Sequence, residues 1–319
     1  MKNQKLISIV TPVMNEESNL DFYYQEITKV INKNKKYEFE IIFTDNASAD
    51  NTYEKALSIC KKDKRFKIYR FLKNHGYQKS ILTGYKLTKG DAAIQMDCDL
   101  QDPPELINEL ITFWEKGNRI VYGVRSKRDE NFFITFLRRR FYRVISKITN
   151  YDLPNDVGDF MLLDRMVLDQ LINIESENLY LRGIIFSYGF KSKGIKYNRS
   201  KRKFGKSKFP MKKMFGLALD GIFNESVIPL KLAFYLGLFL GLITLGISFL
   251  LVVLKLLCGT SFPHGYVSLA LLILASISIN SFFLGIMGEY MSRIFRNSQN
   301  RSKVIISRNS CDELNKENS

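Results

Sequence analysis

The stretch Asp97-Cys98-Asp99-Leu100-Gln101-Asp102-Pro103-Pro104-Glu105 carries the densest chemistry in the chain. Asp97 and Asp99 follow a short apolar run over residues 92–96, which reads as a buried strand, and precede residues 106–116, which read as a helix. Period-two alternation at a strand end puts both carboxylates on one side and Cys98 on the other. Open α/β sheets bind their ligands beyond the carboxyl ends of strands. Two acids placed there repel each other unless a cation joins them. Mg²⁺ suits that role, because it takes one or two protein carboxylates and completes its shell with substrate phosphates and water. An Asp-x-Asp alone also describes an ordinary solvated loop. The strand before it and the Pro-Pro helix start after it favour a site.

The elements that must hold these residues recur along the chain. Residues 6–13 (LISIVTPV) read as a strand and 17–31 as an amphipathic helix; 39–44 form a second strand that ends at Asp45-Asn46-Ala47-Ser48. Asp50 caps a helix that runs through Cys60. Strands over 66–71, 92–96 and 119–124 alternate with helices over 76–87 and 106–116. Repeated strand–helix units predict an α/β fold, a mostly parallel sheet covered by helices on both faces. The turn after the first strand, Thr11-Pro12-Val13-Met14-Asn15-Glu16-Glu17, is no glycine-rich phosphate loop. That disfavours a dinucleotide-binding dehydrogenase and a P-loop ATPase. Diphosphate charge is then left to the Asp97/Asp99 metal.

The remaining third is of another kind. Residues 232–254 and 266–288 are free of charge, and at about 1.5 Å per residue each reaches across a hydrocarbon core of roughly 30 Å. The connector between them is short and nearly uncharged, whereas residues 191–231 and 293–308 are rich in Lys and Arg. The positive-inside rule therefore predicts a multi-pass protein of the cytoplasmic membrane with both termini cytoplasmic. Net charge is +16, from 48 basic and 32 acidic residues. It calls for an anionic partner, and its concentration beside the apolar runs favours membrane lipids over nucleic acid. Lys191 to Lys213 contains eleven Lys or Arg; each is worth about 1 kcal/mol near an anionic leaflet. Residues 132–143 and 210–223 read as interfacial helices, or as helices packed on the sheet. The four cysteines lack metal-ligand or paired spacing, which suits a reducing compartment, and the polar residues 1–5 open no secretory signal. The expected organisation is a catalytic domain over 1–208, an interfacial helix over 209–228, membrane helices over 229–257 and 266–288, and a cytoplasmic tail over 289–319. Ala233, Gly237 and Gly241 recur at a spacing that suits helix association in a homo-oligomer.

Pro12, Asn15, Glu16, Asp45 and the Asp97-Cys98-Asp99-Leu100-Gln101-Asp102 run resemble a family 2 glycosyltransferase of the GT-A fold, a Rossmann-like arrangement. Gly158-Asp159-Phe160, Leu181-Arg182-Gly183, Arg202-x-x-Gly205-x-Ser207-Lys208 and Gly288-Glu289-Tyr290 resemble a narrower group, the polyprenyl-phosphate glycosyltransferases. That group includes the bactoprenol glucosyltransferases and dolichol-phosphate mannose synthase. The resemblance implies that Pro12, Asn15, Glu16, Asp45 and Cys98 belong to the donor pocket. It gives Asp97, Asp99 and Gln101 to Mg²⁺ or Mn²⁺ against the sugar-nucleotide diphosphate. Arg202, Ser207 and Lys208 come from a loop that closes over the diphosphate. Arg125 and Arg139 grip the lipid phosphate, and Asp159 stands at the position the family gives to a base. The family has Asp-Asp or Asn-Asp where this chain has Asp45-Asn46, which puts the role of the second position in question.

The implied reaction is transfer of a sugar to undecaprenyl phosphate at the cytoplasmic face by single displacement, with inversion. UDP-glucose is the expected donor; UDP-GlcNAc and GDP-mannose are the alternatives, and a flippase would act downstream. Because a phosphate nucleophile is already anionic at neutral pH, Asp159 has a second reading, as the group that orients Arg125 or the acceptor. Two other classes have distinct signatures. A glycan-elongating synthase is expected to carry a Gln-x-x-Arg-Trp motif, which the lone Trp114 does not supply. A non-catalytic binding protein would tolerate loss of both Asp97 and Asp99.

Overall fold

The computed structural model describes residues 4–125, 154, 157–174, 179–200, 265–298 and 304–310, with isolated positions between 235 and 257. The chain divides into two compact units, one of residues 1–211 and 302–319 and the other of residues 212–301.

The first unit is built on an eight-stranded sheet. Its elements are β1 (Lys5–Val13), α1 (Leu20–Lys33), β2 (Tyr37–Asp45), α2 (Thr52–Lys62), β3 (Phe66–Phe71), α3 (Tyr77–Leu87), β4 (Ala92–Gln95), α4 (Leu106–Glu115) and β5 (Ile120–Arg125). There follow β6 (Val157–Asp164), α5 (Arg165–Leu171), α6 (Leu181–Ser187), β7 (Ser192–Tyr197) and, in the second unit, α7 (Gly265–Ser298). A last strand, β8 (Ile306–Asn309), returns to the sheet. Strand order is β7-β5-β6-β4-β1-β2-β3-β8. β1, β2, β3 and β4 run parallel, so their carboxyl ends share one edge. β1, β2 and β4 are buried on both faces, which is why they read as near-continuous apolar runs, whereas β3 alternates, with Lys67, Tyr69 and Arg70 only partly buried. Helix faces rich in Leu, Ile and Tyr close over them: Tyr23 and Ile27 of α1 pack into one core cluster, Ile81 and Tyr85 of α3 into another.

The expected mostly parallel α/β architecture is present, with differences in detail. β6 is antiparallel between β4 and β5, Gln95 standing opposite Met161 and Val124 opposite Val157. That reversal carries the amino-terminal end of β6 to the same sheet edge as the carboxyl ends of β4 and β5. The basic run from Lys191 begins inside the sheet: its first residues form β7, parallel to β5, with Ile195 and Tyr197 buried and Lys193 exposed over the Phe113 ring, and residues 201–213 lie outside the described residues. The expected tail over 289–319 likewise differs, since α7 runs on to Ser298 and β8 then pairs antiparallel with β3.

Over the described residues alone, no helix is long and apolar enough to cross a membrane. The expected interfacial helices, the first apolar run and the small residues Ala233, Gly237 and Gly241 lie outside the described residues.

Candidate active site

The parallel strands deliver their loops to one edge, and the backbone is strained there. Asn15, Ala47 and Leu100 adopt left-handed φ values of 53°, 57° and 51°. They fall in the loops after β1, β2 and β4 respectively. Non-glycine residues persist in this region only when their surroundings hold them, and such residues gather at binding sites.

On the β1/β2 side, Asp45 is fully buried at the end of β2. Its Oδ1 accepts from the backbone N and hydroxyl of Ser48, and its Oδ2 lies 3.6 Å from Arg70 Nε without forming a hydrogen bond. Burial, opposed by the Ser48 bonds and Arg70, pushes the carboxyl above the usual range. An unsatisfied oxygen on a buried carboxylate is a place for a ligand donor. Asn15 accepts from Ala49 N at 2.8 Å and its backbone N donates to Ser48 Oγ, so it braces the β1 and β2 loops against each other. Glu16 accepts from the Asn19 amide, and its backbone N donates to Thr52 Oγ1. Pro12 stands beside Thr44 in the β1–β2 register. Asn46 is committed within the protein: its Nδ2 donates to Asn74 Oδ1 and its Oδ1 accepts from His75 N, both at 2.8 Å. The amide at this departure from the family pattern therefore ties the end of β2 to the start of α3, a task that needs both a donor and an acceptor.

On the β4 side, the strand ends at Gln95 and the chain turns, with Leu100 N donating to Asp97 O at 3.4 Å. Burial still alternates: Met96, Cys98 and Leu100 are buried and Asp97 and Asp99 partly exposed. Cys98 packs in the core cluster beneath the loop and is 3% exposed. Asp97 Oδ1 accepts from Tyr77 OH at 2.7 Å and from Gln95 Nε2 at 2.8 Å. Burial first, and then the carboxylates of Asp102, Asp99 and Asp159, push Asp97 up to about 7, against the lowering bond from Tyr77. Gln101 N donates to Asp99 Oδ1 at 3.2 Å, and its amide reaches Ser200 O at 3.4 Å, leaving Oε1 for other partners.

Asp159, near the start of β6, pairs with Arg182 Nε at 2.9 Å, while Arg182 NH1 donates to Val157 O at 2.8 Å. Arg125, at the end of β5, lies over Gly158: a Cβ there would meet its NH2 at 3.1 Å. The structure thus brings Asp97, Asp99, Gln101, Asp159 and Arg125 to one end of the β4-β6-β5 strands. It adds Tyr77, Gln95 and Tyr197, which sequence reasoning passed over, and it gives partners to Asp102 and Arg182, which the sequence offered only as members of motifs. A buried glutamine inside the apolar run 92–96 was the available signal for the first pair. Arg139, Arg202, Ser207 and Lys208 lie outside the described residues.

No three His, Cys, Asp or Glu side chains among the described residues gather closely enough to hold a metal by themselves. Two carboxylates facing substrate phosphates are nevertheless the usual Mg²⁺ arrangement. The raised Asp97 carboxyl fits a divalent cation, whose charge would offset the burial and the neighbouring carboxylates that lift it.

Comparison with known proteins gives the same architecture a wider setting. The sequence model described as "Glycosyl transferase family 2" matches residues 8–172. An uncharacterized glycosyltransferase of Bacillus subtilis, YkcC, is 38% identical over 94% of this chain and 92% of its own length. The bactoprenol glucosyl transferase of Shigella phage SfV is 33% identical over 94% of this chain and 97% of its own. Among solved structures, the mannosyltransferase PcManGT from Pyrobaculum calidifontis, in complex with GDP-Man and Mn²⁺, superposes with a TM-score of 0.51. It shares 14% identity and covers 94% of this chain and 89% of that one; that likeness speaks to the GT-A fold alone.

Proposed function

The chain belongs to glycosyl transferase family 2, in the polyprenyl-phosphate glycosyltransferase group, and from that premise we propose that this glycosyltransferase moves a sugar from a nucleotide donor to a polyprenyl phosphate. The observation that carries the reading is the division of charge at one sheet edge. Asp97 and Asp99 stand on the β4 loop, and beside them Arg125 and Arg182 converge on the Val157–Asp159 backbone. Carboxylates with a divalent ion suit a nucleotide diphosphate, and guanidinium groups suit a phosphate acceptor through paired N–H donors.

Asp97, Asp99 and the free Oε1 of Gln101 would hold Mg²⁺ or Mn²⁺, which when bound supplies charge to offset the departing diphosphate. The protein's own part is positioning. Tyr77 and Gln95 fix Asp97 by two hydrogen bonds to one oxygen. Asp45 offers its unsatisfied Oδ2 to the nucleoside. Arg125 holds the acceptor phosphate so that one anionic oxygen faces the anomeric carbon. Asp159, ion-paired to Arg182, suits the orienting role better than that of a base. Attack opposite the leaving group inverts the configuration. Glucose from UDP-glucose is the donor we favour, because the SfV relative is a glucosyl transferase by name.

Placement at the cytoplasmic face of the membrane belongs to the same proposal. Its support is the uncharged run over 266–288 and the side chains of α7. Leu269, Leu272, Ile273, Phe282, Leu284 and Met287 are all more than half exposed, and they project on more than one side of the helix. A helix apolar all round belongs in a core or in lipid.

The test uses membranes containing the protein, undecaprenyl phosphate, Mg²⁺ or Mn²⁺ and a panel of labelled nucleotide sugars. Label passing into an acid-labile, organic-extractable lipid supports the reading and names the donor. Folded protein that transfers from none of the donors overturns it.

A further inference from the structure

Three side chains from three elements form a continuous chain between the acceptor side of the site and the metal-bearing loop. Arg125 Nε donates to the Tyr197 hydroxyl at 3.4 Å. That hydroxyl in turn donates to Oδ1 of Asp102, the residue next to Gln101. Asp102 is 3% exposed and also faces Arg199 Nε at 3.6 Å. The backbone makes room for this chain. A Cβ at Gly123 would stand 2.6 Å from the Tyr197 ring, and one at Gly158 would press on the Arg125 guanidinium. The Tyr197 ring packs edge-on against Phe160, with 6.0 Å between centroids. β7 is further tied to the same loop by Ser200 N donating to Gln101 O at 2.9 Å.

The polarity of this chain is fixed by its ends. A guanidinium can only donate and a carboxylate only accept. The phenol between them must therefore give its proton to Asp102 and turn its lone pairs to Arg125. A phenol so oriented holds Nε and leaves the outer N–H groups of the guanidinium for a ligand. We propose that Tyr197, anchored by Asp102, is the positioning residue that aims Arg125 at the acceptor phosphate. It thereby ties the grip on the lipid to the loop that carries Asp97 and Asp99. The inference rests on the reading of Arg125 as the acceptor cation.

Full-length protein in membranes, assayed with undecaprenyl phosphate and the nucleotide sugar it uses, separates the possibilities. Tyr197→Phe removes one oxygen and keeps the ring against Phe160 and Gly123. Loss of a hydrogen bond to a charged group raises the acceptor KM about tenfold, with the donor KM near wild type and a lowered melting temperature, because the buried Asp102 loses its phenol donor. The double variant Tyr197→Phe/Arg125→Ala is no worse than Arg125→Ala alone, since the tyrosine acts through the arginine. Asp102→Asn, which still accepts the hydroxyl, moves the acceptor KM in the same direction by less. An acceptor KM unchanged in Tyr197→Phe while Arg125→Ala raises it overturns the positioning role alone. So do independent, multiplicative effects in the double variant. If Arg125→Ala leaves the acceptor KM unchanged, the assignment of Arg125 falls and the positioning role with it. Should Tyr197→Phe fail to fold, Asp102→Asn carries the same readouts, and an unmoved acceptor KM there overturns the proposal.

Discussion

Asp97→Asn is expected to abolish transfer and yet stabilise the metal-free protein. Folding lifts the Asp97 carboxyl from its ordinary 3.8 to about 7. The native state therefore binds more protons than the unfolded chain between those values. Stability is fully present below the lower value and is lost as the pH rises through the upper one. At 1.36 kcal/mol for each tenfold change in proton affinity, the loss above pH 7 is about 4 kcal/mol. Asparagine carries no such charge, and its Oδ1 can still accept from Tyr77 and Gln95, the two donors that Asp97 uses. Allowing half of the figure for local relaxation, the variant gains about 2 kcal/mol at pH 8, or about 4–8 °C in Tm. The gain shrinks by more than half at pH 5. Thermal unfolding of the full-length protein in detergent with EDTA, followed by the fluorescence of the single, buried Trp114, measures it directly. Adding Mn²⁺ with UDP should raise the Tm of the wild type and not of the variant. The reasoning fails if Asp97→Asn is no more stable than wild type at pH 8, or if its gain is the same at both pH values.

Other substitutions probe the frame around the site. Trp114→Phe removes the 2.7 Å bond from Nε1 to Asp164 Oδ2 and should cost about 1–2 kcal/mol in urea unfolding followed by circular dichroism, with transfer unaffected. Asn46→Asp moves the chain toward the family's acidic pair but sets a carboxylate oxygen against Asn74 Oδ1. It should lower stability by about 1–2 kcal/mol and slow transfer rather than improve it. Gly158→Ala puts a methyl group 3.1 Å from Arg125 NH2; the acceptor KM should rise roughly threefold with little change in Tm, as read from steady-state kinetics.

Which features the sequence discloses follows from the range of the forces involved. The strand and helix pattern through residue 125 is legible because β1, β2 and β4 are buried apolar runs and α1 and α4 have one apolar face; boundaries differ by a few residues at most. The Asp-x-Asp loop is legible because two acids after a buried strand are costly without a ligand. β6 is less so: its Gly158 and Asp159 suggest a turn, and only pairing between β4 and β5 makes Val157–Asp164 a strand. β7 is hidden inside a lysine-rich run: Lys196 faces solvent, Ile195 and Tyr197 face the core, and Lys193, on their side of the strand, stays exposed at its start over the Phe113 ring. The partners of the site residues depend on register between distant strands. Arg125 meets Tyr197 because β5 and β7 pair with those two residues side by side, and no local pattern encodes that. Cys98 shows the converse, a residue inside the right motif whose side chain points into the core.

β8 constrains the path of the chain through any bilayer. Leu72 N donates to Ile305 O at 2.9 Å, Ile68 N donates to Ser310 Oγ at 3.1 Å, and Ser307 Oγ donates to Arg70 O. Residues after α7 are therefore part of the same sheet as β1 to β7. A chain cannot hydrogen-bond to its own sheet through a hydrocarbon core, where unpaired backbone groups are not tolerated. Whatever lies between residues 212 and 301 must leave and return on one side, so the number of crossings is even. Two uncharged runs, 232–254 and 266–288, meet that requirement. Single cysteines introduced at Lys33 and at Ser298 in a cysteine-free background should react with a membrane-impermeant maleimide from the same side of oriented vesicles. A cysteine at His264 should react only from the other. Labelling of all three positions from one side would remove the membrane-spanning reading while leaving the sheet, the site and the transfer reaction as they stand.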